Sequence, residues 1–131
     1  MKFLPLAFLF VLCNSAFALN QDEANEALAK EFASCAGYHM TRMAMMENAG
    51  QSEEAMKSVA PVFQKTVEAG SKLKPKETIG KWALATMSEN VKIIEEKGQE
   101  GVGIVMLKYS GKCKAALADP DGRMKYWLDQ K

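Results

Sequence analysis

Cys35 and Cys113 both fall on the apolar stripes of segments with helical periodicity, so any compact fold of this chain has to bring two such stripes together. At 100° per residue, Phe32, Cys35, Ala36, His39, Met40, Met43 and Met46 share about 140° of arc on the first segment. Val102, Val105, Met106, Tyr109, Cys113 and Ala116 form the matching stripe on a later one. Two buried cysteines on packed helices can reach the short Cα separation that a disulfide needs. Neither cysteine belongs to a C-x-x-C pair, so a structural staple is favoured over redox or metal chemistry.

The compartment agrees with that pairing. Lys2, the apolar run from Phe3 to Cys13 and the small-residue pattern Ala16-Phe17-Ala18 have the three-part order of a secretory signal peptide. The run is shorter than the roughly 20 residues of a membrane span and is followed by Asn14 and Ser15. Lipoprotein cleavage before Cys13 is disfavoured by the bulk of Leu12. The expectation is a signal peptide over residues 1–18 and a single domain over residues 19–131, delivered to the periplasm or secreted, with no stable membrane insertion after cleavage. Removal of Cys13 leaves an even pair in an oxidising compartment. The chain has 17 Lys and Arg against 16 Asp and Glu, and loss of Lys2 makes them equal. Without a basic excess there is no footprint for nucleic acid.

Punctuation divides the remainder into helices. Asn20 with Glu23 forms a capping-box start for a first helix over residues 20–49, closed at Gly50. Ser52 opens a second, with Glu53 and Glu54 at its positive end, a kink at Pro61 and a stop at Gly70. Pro75 introduces a third that ends at Lys97-Gly98, and a fourth runs over residues 99–118 to Asp119-Pro120. Met124, Trp127 and Leu128 add a short C-terminal helix. The expected fold class is all-α: a four-helix bundle with a short additional C-terminal helix and one interhelical disulfide. The fourth helix also has Ile104, Leu107, Gly111, Ala115 and Ala118 opposite its main stripe, which predicts burial on two sides, beneath the tail or against a second subunit of a homo-oligomer.

No motif commits the chain to catalysis. His39 is the one histidine; G-x-S-x-G is absent, and Tyr38 stands where a haem-attachment motif needs a second cysteine. Asp119-Pro120-Asp121-Gly122 lacks the later ligands of a calcium loop, and the paired glutamates sit near helix ends as solvated charge. His39, Met43 and Met46 could serve copper(I) or haem handling in the periplasm, but they share their arc with plain hydrophobes, so core packing is preferred and no cofactor is assigned. The groups Lys72, Lys74, Lys76 and Lys108, Lys112, Lys114 are expected to solvate a surface. Tyr38 and Met45 point away from the first core stripe, and Trp82 and Ile93 away from that of the third helix. These four residues make a candidate interaction surface. The expected function is that of a non-enzymatic binding or accessory module for another extracytoplasmic protein.

Overall fold

The structure, a computed structural model, describes residues 18–130, and among these every regular element is helical. The signal peptide expected over residues 1–18 therefore lies outside the described residues, apart from Ala18. The elements are α1 (Gln21–Asn48), α2 (Glu53–Lys57), α3 (Ala60–Ser71), α4 (Lys76–Lys97), α5 (Gln99–Ala118) and α6 (Pro120–Leu128). None of these helices is long and apolar enough to cross a membrane.

Local chemistry accounts for the boundaries. The Asn20 side chain accepts from the Glu23 N–H while Glu23 accepts from the Asn20 N–H, closing the capping box of α1. Gly50 and Gly98 take positive φ at the ends of α1 and α4, a conformation in which a Cβ would clash and which glycine adopts freely. The expected second helix is broken rather than kinked: α2 stops at Lys57 and α3 restarts at Ala60 with Pro61 in its first turn. Proline has no N–H for the Lys57 carbonyl and its ring crowds that position, whereas the first turn of a new helix needs no such donor.

Helix α1 is the axis of the molecule. It packs most extensively on α4 and α3, and Ala24, Ala29, Ala33 and Ala36 on it are fully buried. Its small residues allow a close crossing with α4. A Cβ on Gly37 would meet the Ala83 carbonyl oxygen and sit 2.7 Å from Thr86 Cβ. The Cys35–Cys113 disulfide joins α1 to α5 across a sequence separation of 78, with the Cα atoms 5.4 Å apart. Tyr38, Val105 and Tyr109 pack around it, with Ile93 and Ile94 of α4 against them.

Helix α6 turns back onto α1, where Met124 and Trp127 cover Leu28, Phe32 and Ala116. Its anchor is Glu31, a carboxylate only 1% exposed. Arg123 donates to both oxygens at 2.8 Å from Nε and Nη2, and Trp127 Nε1 donates at 2.9 Å. These charge-assisted bonds satisfy a group that would otherwise be costly to bury. Because α6 covers α1, the tail does not cover the second face of α5, which corrects the first of the two covers expected for it. Leu107 is 90% exposed and Ile104 is exposed beside it.

Candidate functional site

Above α1, between α3 and α5, lies a groove of about 740 Å³, and a second of about 610 Å³ continues it along the C-terminal end of α1 and the start of α5. Tyr38, Arg42 and Met106 line both, so the two form one trough. Helical spacing builds its walls. Tyr38 and Arg42 are one turn apart on α1, Lys65 on α3 is two turns from Lys72 at that helix's C-cap, and Met106, Ser110 and Lys114 follow one another at single turns on α5.

The floor of the first groove is aromatic and sulfurous. Tyr38 stacks on Tyr109 with ring centroids 5.5 Å apart, and His39 lies 5.3 Å from the Tyr38 ring. Cys113 completes this floor, while Val62 and Leu117 line the sides. The polar lining is unbalanced: Arg42, Lys65, Lys72 and Lys114 face a single carboxylate, Glu68. The Arg42 guanidinium lies 5.8 Å from the Tyr38 centroid, within cation–π range. The adjoining groove is lined by Met45, Met46, Met106 and Val102, adaptable apolar side chains with no charge besides Arg42.

His39 is 5% exposed and its Nδ1 has no hydrogen-bond partner. Burial, reinforced by the positive charge of Arg42, pulls its pKa down to about 4, so the imidazole is neutral at neutral pH. The trough thus offers apolar contact, the Tyr38 ring backed by Tyr109, and fixed positive charge. That combination suits a ligand with apolar and anionic groups in alternation.

The sequence-based surface is redistributed. Tyr38 is 3% exposed and belongs to the core around the disulfide, which corrects its expected exposure. Its wheel position faces α5, an element whose location the α1 pattern does not reveal. Met45 is half-buried in the trough. Ile93 packs against the disulfide cluster from α4, and Trp82 packs beside Ile79 with Lys30 Nζ 5.4 Å from its ring. These four residues therefore do not form one surface. Of the alternative metal donors, His39 lines the first groove, Met46 the second, and Met43 is half-buried on the same helix. Among the described residues no group of three or more His, Cys, Asp or Glu side chains is placed to hold a metal ion. Sequence reasoning passed over Arg42 and Lys65, placed Met106 on the buried stripe of α5 although it is exposed, and read Lys72 and Lys114 as solvated. The seven-residue spacing of Lys65 from Lys72, the C-cap of α3, was the available signal.

No family model matches the chain, and no curated protein or solved structure matches it. The residues of the trough therefore carry the functional reading.

Proposed function

We propose that this protein is a non-enzymatic binding module for another extracytoplasmic protein, which inserts an acidic, amphipathic segment into the α1–α3–α5 trough. The observation that carries the assignment is the Tyr38–Met106 apolar floor beneath four cationic side chains and one carboxylate. A helix laid in such a groove gains affinity from its apolar face, and the positive rim selects against basic competitors. Residence in the periplasm or outside the cell belongs to the same proposal and is supported by the Cys35–Cys113 bond, which persists in oxidising compartments.

A photo-crosslinking side chain placed at Met106, in the native cell, tests the assignment against the same group placed at Leu84 on α4. The expected result is one specific protein adduct from position 106 and none from position 84. Lys65→Glu with Lys72→Glu should remove that adduct while leaving the circular dichroism spectrum unchanged. An adduct that survives both charge reversals, or equal labelling at the two positions, rules the trough out as the recognition site.

A further inference from the structure

The outward face of α5 is independent of the trough's floor, and its composition is unexplained by packing within the chain. Leu107 stands at its centre, 90% exposed, with Ile104 at 37%. Gly103 and Gly111 flank Leu107 one turn away on either side, and a Cβ added at either would meet nothing within 4 Å. Neither glycine has positive φ. Each costs the helix about 1 kcal/mol relative to alanine, and no contact in the monomer offsets that. Glycine inside a helix without a backbone reason is explained when a second backbone approaches closely.

The charges on this face identify what approaches. Glu100 and Lys114 are equidistant from Leu107 in sequence and lie within about 20° of it on the helical wheel, and neither has an ion-pair partner among the described residues. The other lysines of α5 are turned elsewhere. Lys108 Nζ lies over the Tyr109 ring at 5.1 Å, and Lys112 lines the hollow between α1 and Trp127.

We infer that α5 is a self-complementary interface on which a second copy of this chain packs antiparallel, about a two-fold axis through Leu107. That axis sets Leu107 against its counterpart, brings each Gly103 to the Gly111 of the other copy, and pairs each Glu100 with the other copy's Lys114. An isologous contact needs the same patch to satisfy itself, and here both shape and charge do so. A single crossing of this length is small for an interface, so the dimer belongs to the weak class. Lys114 also borders the trough, whereas Arg42, Lys65 and Lys72 are untouched by the pairing.

Sedimentation equilibrium of the disulfide-bonded protein from about 1 μM to about 1 mM spans the range for such a contact. A monomer–dimer equilibrium is expected. Glu100→Lys or Lys114→Glu alone should weaken dimerisation by about tenfold or more, and the exchanged pair in one chain should restore it. Gly111→Leu should abolish the dimer while leaving the thermal midpoint of the dilute monomer unchanged or raised, which separates lost association from lost folding. Leu107→Cys should give a copy-to-copy disulfide on mild oxidation, because only a residue on the axis meets itself. Three results overturn the inference: a monomer throughout the range, a dimer indifferent to Gly111→Leu, or a charge exchange that fails to restore pairing. Where the first of these holds and the monomer sediments with anionic phospholipid vesicles, the face belongs to a membrane surface instead.

Discussion

His39 shows how one side chain couples the core to solution conditions. It is buried beside Tyr38 and Arg42 with Nδ1 unpartnered, and its pKa falls from the ordinary 6.5 to about 4. The folded state therefore holds a neutral ring while the unfolded chain takes up a proton between those values. The stability tied to His39 is fully present above pH 6.5 and is lost as pH falls towards 4. The expected loss over that window is up to about 3 kcal/mol. Urea unfolding at about pH 7 and about pH 4.5 checks it, because His39→Phe should show a smaller decline between the two. Equal declines in the two proteins would remove His39 as the cause. The presence of histidine on the apolar stripe is legible in the sequence; its missing partner is not, since α3 and α5 set which groups surround it.

Glycines in helix interiors have opposite consequences at the scale of the elements. Gly37 lies where α1 crosses α4, and a methyl group there runs into the Ala83 carbonyl and Thr86. Gly37→Ala should destabilise the fold by about 1–3 kcal/mol, despite the better helix propensity of alanine. Gly103→Ala in the dilute monomer should instead stabilise by up to about 1 kcal/mol, since its surroundings are open. Chemical denaturation of the two variants side by side reads the contrast, and the same sign in both would contradict the described crossing. Helix starts at Asn20 and stops at Gly50 and Gly98 are readable from side-chain chemistry acting within a few residues. The break at Ser58-Val59 is harder to read, because Pro61 is compatible with either a kink or a new first turn. Burial of Val59 accompanies the new turn.

For the whole molecule, the Cys35–Cys113 bond links the central helix to α5 and closes a loop that includes α2, α3 and α4. By chain entropy, a loop of that length is worth about 4.5 kcal/mol to the folded state. Reduction, or the double change Cys35→Ala with Cys113→Ala, should lower the free energy of unfolding by roughly that amount, seen as a fall in urea midpoint with little change in slope. A midpoint insensitive to reduction would mean that the packing of Tyr38, Val105 and Tyr109 already holds α5 in place. The bond also backs the floor of the trough, so reduction should weaken whatever the trough binds.

The amino-acid order alone determined the helical character, most of the helix ends and the pairing of Cys35 with Cys113, because periodicity and caps act locally and both cysteines fall on apolar stripes. Only the tertiary structure decided which second faces are covered. Tyr38 is packed against Tyr109 of α5, while Leu107 is left in water because Glu31 draws Arg123 and Trp127, and α6 with them, onto α1. The trough was equally hidden from the pattern: its cations come from three helices, and a hydrophobic stripe shows which side of a helix is buried but not which helix lies against it.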